Sequence, residues 1–132
     1  MGDSRNGAGR PYHGSYRDLR VWQDAMSLAE ACFRLTRDLP KEEIFGMSSQ
    51  IRRSASSIAA NIAEGYGREL NKPFIQFLRV AQGSLKELET HLILVGRVDM
   101  ISPERIGPLL LSCDALGKML RRLIISRQTR EA

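Results

Sequence analysis

Apolar residues recur at three- and four-residue steps in four stretches of the chain, and this spacing predicts four amphipathic helices. The predicted helices span about residues 19–38, 47–66, 72–97 and 103–127. In the third stretch the steps alternate between four and three without a break, which makes a heptad seam of Phe74, Leu78, Ala81, Leu85, Leu88, Leu92 and Val95. In the fourth, Ile106, Leu109, Cys113, Leu116, Leu120 and Leu123 continue the same spacing. Short connections favour an all-α, antiparallel up-down-up-down four-helix bundle, because a parallel neighbour would need a long crossover.

Residues with known positional preferences mark the ends of these helices. Pro40 ends the first helix, because proline disfavours helical backbone at the residue before it. Gly65 and Gly67 are expected to supply the left-handed conformations that close the second helix. Asn71 is the expected N-cap of the third helix, and Pro103 suits the first turn of the fourth.

The chain of 132 residues suits one domain. Residues 1–15 are rich in glycine and are predicted to be a disordered tail, residues 16–127 the bundle, and residues 128–132 a C-terminal tail. No apolar run approaches the ~20 residues that span a bilayer, and the N-terminus lacks the apolar stretch of a signal peptide. Cys32 and Cys113 stand at apolar helical positions, so we expect buried thiols in a cytoplasmic protein.

The net charge of +5 is concentrated at the two ends of the chain. Residues 118–132 contain one carboxylate, Glu131, against five cations, which are Lys118, Arg121, Arg122, Arg127 and Arg130. A basic end of this kind can bind the phosphates of a nucleic acid, and these five cations are the candidate binding residues. The alternative is a solvated helix end whose cations interact favourably with the helix dipole.

No convincing catalytic or metal-binding set is present. The two histidines are His13 in the tail and His91 in the third helix. Glu87 and His91 are four residues apart, whereas a di-iron bundle uses Glu and His three residues apart, twice. We therefore expect no enzymatic activity, no metal, no cofactor and no small-molecule substrate.

A polar stripe runs along the second predicted helix at steps of 3, 4, 4, 3 and 4, through Gln50, Arg53, Ser57, Asn61, Glu64 and Arg68. One interpretation is a solvated face. The other is a hydrogen-bonded network at an interface, in which Glu64 is at least partly buried and bonded to Arg53 or Arg68, because a buried charge must be paired.

Some helical stretches are more apolar than one seam requires. Residues 74–81 are apolar at six of eight positions, and residues 109–111 and 123–125 are wholly apolar. These helices are either deeply packed or in contact with another subunit, since large exposed apolar patches mark interfaces. The second interpretation predicts a homo-oligomer.

The polar stripe also lies in a stretch that resembles the sequence motif of a known protein family. Residues 49–54 and 57–68 resemble the motif of the four-helix-bundle proteins encoded by intervening sequences in bacterial 23S rRNA genes, often labelled S23. Residues 18–25 and 77–90 agree with other parts of that family, and the resemblance covers about residues 16–126. The chain differs at Ala59, where members often have proline, so a straighter second helix is expected.

The resemblance implies a cytosolic bundle that assembles as a homopentamer, but it implies no agreed activity. The family is similar in fold to the accessory protein of diversity-generating retroelements, which implies nucleic-acid binding by a basic pentamer. We therefore expect a non-enzymatic oligomer that binds RNA or DNA phosphates. The alternative is an oligomeric scaffold or adaptor for another protein.

Overall fold

The structure, a computed structural model, describes residues 15–131, and over this range the chain is helical without a strand. The four helices are α1 (Arg20–Thr36), α2 (Met47–Gly67), α3 (Asn71–Arg97) and α4 (Pro103–Glu131). Short 3-10 turns precede α1 at Tyr16–Asp18 and α2 at Lys41–Glu43. The predicted all-α fold with four helices is confirmed. The predicted N-terminal tail, apart from residue 15, lies outside the described residues.

Each helix packs against the next one in the chain, and α4 packs back against α1. The Asn71 amide nitrogen donates a 2.7 Å hydrogen bond to the carbonyl oxygen of Arg127, so the start of α3 lies beside the end of α4. Arg105 Nη1 donates a 2.7 Å bond to Asp38 Oδ2, so the start of α4 lies beside the end of α1. These are the contacts of antiparallel neighbours in a bundle.

The core follows the predicted seams except at two positions in α4, Leu109 and Leu123, which are only partly buried. Every seam residue of α3 is buried, as are Ile51, Ala55, Ile58 and Ile62 of α2. In α4 the seam passes from Leu120 to Ile124 and not to Leu123, which is only partly buried. Alternating three- and four-residue steps average 3.5 residues per turn, so on a helix of 3.6 residues per turn they drift slowly around the axis, and a second four-residue step restores the alignment.

The expectation for Gly65 and Gly67 is wrong, because both lie within α2 and no glycine in the described range has a positive φ. The left-handed residue is Glu69, with φ of 63°. Gly65 has a packing role. A Cβ built on it would lie 2.5 Å from the Cβ of Phe77 on α3. The absence of a side chain at Gly65 therefore lets α2 and α3 approach closely.

Two other helix ends differ from expectation. Leu70 occupies the N-cap position of α3, and Asn71 is the first helical residue, with its side chain engaged by α4 instead of capping. The predicted C-terminal tail is helical as far as Glu131, because residues 128–131 contain no helix-breaking residue. At Ala59, α2 continues without interruption.

Candidate nucleic-acid interface

The middle of the polar stripe ties α2 to α3. The hydroxyl oxygens of Ser57 on α2 and Ser84 on α3 lie 2.8 Å apart. The Asn61 amide nitrogen donates to the Ser57 carbonyl oxygen at 2.8 Å and to the Ser57 hydroxyl at 3.0 Å. These side chains are partly buried and have partners, so this part of the stripe is a hydrogen-bonded network and not a purely solvated face.

Toward the start of α2 the stripe is ionic. Arg53 Nη2 lies 3.6 Å from Glu87 Oε2 on α3 and also donates to the side-chain oxygen of Gln50. The same Glu87 oxygen lies 3.5 Å from Nε2 of His91, whose side chain is 17% exposed. The polar partners on α3 were missed at the sequence level, because identifying them requires knowledge of which faces of α2 and α3 meet.

At the other end of the stripe, Arg68 Nη2 donates a 3.0 Å hydrogen bond to Glu64 Oε2. The bond between Glu64 and Arg68 was one of the two predicted. The predicted burial is not observed in the single subunit, where the Glu64 side chain is 56% exposed. The guanidinium of Arg68 lies over the Phe77 ring at 5.0 Å, so this ion pair is held against the surface.

A second feature is a basic groove of about 530 Å³ between α3 and α4. Four exposed cations line it, which are Arg79 and Lys86 on α3 and Lys118 and Arg121 on α4. Glycines keep its floor open. A Cβ built on Gly83 would meet nothing within 4 Å. A Cβ built on Gly117 would lie 3.4 Å from Cδ2 of Leu85. We call this surface the α3–α4 groove.

The charge in the α3–α4 groove is only partly compensated. Lys118 Nζ lies 3.3 Å from Asp114 Oδ2, and Lys86 Nζ lies 3.1 Å from Glu89 Oε1. Within the described part of the chain, neither Arg79 nor Arg121 forms an ion pair. Four cations against one carboxylate, Asp114, line the groove, so its lining keeps a positive excess and its two unpaired arginines are available to an external anion.

The structure brings together only two of the five predicted binding residues. Lys118 and Arg121 line the α3–α4 groove, whereas Arg122 is exposed outside its lining. The other two cations of the lining, Arg79 and Lys86, are on α3, and sequence reasoning overlooked them. The available signal was their spacing, since they are seven residues apart and each directly follows a seam residue, which places both on the same side of α3.

Arg127 is used for packing at the end of the bundle. Its guanidinium carbon lies 4.9 Å from the centre of the Phe74 ring, and its Nε is buried without a hydrogen-bond partner in the described structure. Burial, and then the charge of Arg130, lower the pKa of the Arg127 guanidinium. Arg127 and Arg130 are absent from the lining of the α3–α4 groove, so the five predicted cations do not all line this groove.

A third feature is an apolar groove of about 560 Å³ between α1 and α2, which we call the α1–α2 groove. Trp22 is only partly buried and stacks edge-on against Tyr16 with ring centres 5.3 Å apart. The apolar side chains of the α1–α2 groove include Trp22, Met26, Phe33, Ala59, Ala60 and Ala63, and the arginines that line it are Arg34 and Arg37.

The apolar stretches that suggested an oligomer are divided between core and surface. In residues 74–81, Phe74, Leu78 and Ala81 are buried in the subunit, while Val80 is 51% exposed. On α4, Leu111 is 73% exposed and Ile125 is 48% exposed. Deep packing therefore accounts for part of the apolar surplus, and the rest is surface.

The two cysteines are buried, as expected. Burial raises the pKa of both thiols, Cys32 and Cys113, to about 12. Over residues 15–131, no group of three or more histidine, cysteine, aspartate or glutamate side chains is placed to hold a metal ion. Within the same range, no helix has both the length and the apolarity needed to cross a membrane.

The family model described as 23S rRNA-intervening sequence protein matches residues 17–122. No curated protein matches the sequence. A similar solved structure is a protein of unknown function from the S23 ribosomal protein family of Bacteroides thetaiotaomicron. It is 30% identical, with a TM-score of 0.74, and the match covers 79% of this chain and 97% of that one.

Proposed function

The chain belongs to the 23S rRNA-intervening sequence protein family, and we propose that it is a non-enzymatic, self-associating protein that binds nucleic-acid phosphates in the α3–α4 groove. The observation that carries the proposal is the pair of unpaired arginines, Arg79 and Arg121, which line one groove from two helices. Lysine and arginine supply most of the affinity of proteins for nucleic acids, because phosphate contacts release condensed counterions.

The register of α3 and α4 supports this assignment. Gly117 faces Leu85 and Gly96 faces Ile106, and in antiparallel helices this register brings Arg79 roughly level with Arg121. Toward the other end of the α3–α4 groove, Lys86 lies about 10 Å from Arg79 along α3, since seven residues rise about 1.5 Å each, and Lys118 lies about 4.5 Å from Arg121 along α4. The cations thus form two rows along which a strand backbone can run.

The lining of the α3–α4 groove favours phosphates over bases. It contains one neutral amide, Gln82, and no aromatic side chain on which a base could stack. Phosphate contacts position a nucleic acid without reading its sequence. We therefore expect weak sequence selectivity and similar affinities for RNA and DNA single strands.

Self-association is the second part of the proposal. Its support is the remaining exposed apolar surface, above all the α1–α2 groove, since a large apolar patch on a soluble protein marks a contact site. The family resemblance suggests a ring of five subunits. In a ring, each subunit adds its own α3–α4 groove, and linked sites on one strand gain avidity without any new contact.

The salt dependence of binding tests the nucleic-acid part. Four phosphate contacts to a single strand predict a slope of log affinity against log salt of about −2.8, so a fourfold rise in salt weakens binding about 50-fold. Arg79→Gln with Arg121→Gln should halve this slope and leave about a sevenfold loss. Fluorescence anisotropy with a labelled twelve-nucleotide strand measures both.

The matched control is Lys41→Gln with Arg97→Gln, which removes the same charge from two exposed positions outside the α3–α4 groove. This control should keep the wild-type slope. If both double variants change the slope equally, only net charge matters and the α3–α4 groove is not the site. If wild-type protein shows no binding at low salt, the scaffold alternative is favoured instead.

A further inference from the structure

The connection between α1 and α2 displays an exposed apolar pair. Phe45 is 93% exposed, the highest value among the large apolar side chains of the described chain, and Ile44 beside it is 59% exposed. The two residues before them are Glu42 and Glu43. Apolar surface of this size is unfavourable in water at roughly 25 cal/mol per Å², so its full exposure calls for an explanation.

The backbone that presents Phe45 is well defined by hydrogen bonds. The amide of Ile44 donates to Lys41 at 3.1 Å, and that of Gly46 donates to Glu43 at 3.0 Å. The Glu43 carboxylate accepts from the amide of Met47 at 3.0 Å. We call residues 42–46 the acidic turn. A turn already ordered by such bonds loses little conformational entropy when it binds.

The α1–α2 groove has the complementary properties. Trp22, Met26 and Phe33 provide apolar side chains, and the small residues of α2 leave the space of about 560 Å³ open. Two arginines and one carboxylate, Glu30, also line it, which leaves one positive charge in excess. Arg34 reaches only Glu30, at 4.0 Å, and Arg37 has no ion pair within the described residues. The α1–α2 groove therefore suits an apolar side chain that carries negative charge next to it.

We propose that the acidic turn of one copy inserts Phe45 into the α1–α2 groove of a second copy, with Glu42 and Glu43 facing Arg34 and Arg37. This inference rests on the proposed self-association and specifies its contact. A second copy is the occupant because this chain itself supplies both the apolar side chain and the groove, with opposite charges around them. Charge complementarity of this kind fixes the register of an interface.

The contact joins two different surfaces and is therefore heterologous. Every copy that offers its acidic turn to one neighbour has a groove left for another. Such contacts form a closed ring if the rotation between copies closes, and an open filament if it does not. A ring is thus one expected outcome of the contact itself.

Two variants and their mixture test the contact by light scattering and sedimentation at micromolar concentration. Phe45→Ser removes the inserted side chain, and Ala60→Trp fills the α1–α2 groove from an exposed position on α2. Each variant alone should have the 14.8 kDa mass of one chain. Mixed together, they should form a pair and nothing larger, because one turn and one groove remain intact.

Val98→Ser is the matched control, since Val98 is 51% exposed after the end of α3, lies outside both surfaces, and should leave the assembly unchanged. If the wild type assembles and either single variant keeps the wild-type mass, or if the mixture gives no pair, the contact is disproved while self-association stands. If the wild type has the mass of one chain, both are disproved. Nucleic-acid binding is tested separately, by the salt dependence of fluorescence anisotropy, and neither outcome here decides it.

Discussion

Substitution of Gly65 by alanine tests the closest helix contact in the bundle. Gly65 is buried on α2, and a Cβ at this position would lie 2.5 Å from the Cβ of Phe77 and 3.2 Å from the Phe74 ring. Both Cβ atoms are fixed to their backbones, so a rotamer change cannot relieve the overlap. The helices must move apart by about 1 Å to reach ordinary contact distance.

Two opposing effects determine how much Gly65→Ala changes the free energy of unfolding. Overpacking a well-packed core costs about 1–3 kcal/mol, and a clash between two backbone-fixed atoms belongs at the upper end of that range. Replacing glycine by alanine inside a helix contributes about 1 kcal/mol in the other direction. We therefore expect Gly65→Ala to lower the free energy of unfolding by about 2 kcal/mol.

Gly83→Ala provides the control, because Gly83 lies in the middle of α3 and a Cβ there would meet nothing within 4 Å. This variant should gain up to about 1 kcal/mol from helix propensity alone. Urea unfolding followed by circular dichroism at one protein concentration measures both, and the expected difference of about 3 kcal/mol should separate the two midpoints by about 1–3 M. Equal stabilisation by the two alanines would refute the close approach of α2 and α3 at Gly65.

Three further predictions concern exposed and buried polar groups. Glu64→Ala should change the free energy of unfolding by less than about 1 kcal/mol, because exposed ion pairs contribute little to stability. A loss of about 3 kcal/mol would mean that a neighbouring subunit buries the Glu64 carboxylate. Ser57→Ala should cost about 1 kcal/mol, and a double-mutant cycle with Ser84→Ala should show coupling of at least about 0.5 kcal/mol; zero coupling would contradict the hydrogen bond. Because burial raises the pKa of Cys32 and Cys113 to about 12, both thiols should resist a disulfide reagent at pH 8 in the folded protein and react once urea unfolds it; rapid reaction of the folded protein would contradict their burial.

The helices and most of the core could be predicted from the sequence because they depend on local periodicity. The α3 seam is an example, since a four-three spacing places Leu78 and Leu85 on one face whatever the partner helix is. The shift from Leu123 to Ile124 in α4 shows the limit of this reasoning. Both residues are apolar, and only the accumulated rotation of the helix decides which one reaches the core.

Features that depend on two helices at once could not be predicted in the same way. The packing role of Gly65 requires Phe77 to be opposite it, and a glycine near a helix end has the same sequence appearance whether it packs or terminates. The α3–α4 groove likewise needs the register that brings Arg79 close to Arg121, although they are distant in sequence. Clustering cations by sequence alone selected Arg127, which the fold uses for packing against an aromatic ring.

Photocrosslinking tests most directly whether the α3–α4 groove binds nucleic acid. A single strand containing 4-thiouridine is bound at low salt, irradiated and digested, and the crosslinked peptides are identified by mass spectrometry. The proposed function predicts crosslinks within residues 79–86 of α3 and 114–121 of α4, whose yield Arg79→Gln with Arg121→Gln should reduce strongly at the same protein concentration. Crosslinks confined to α1 and α2, or unchanged in this double variant, would contradict it.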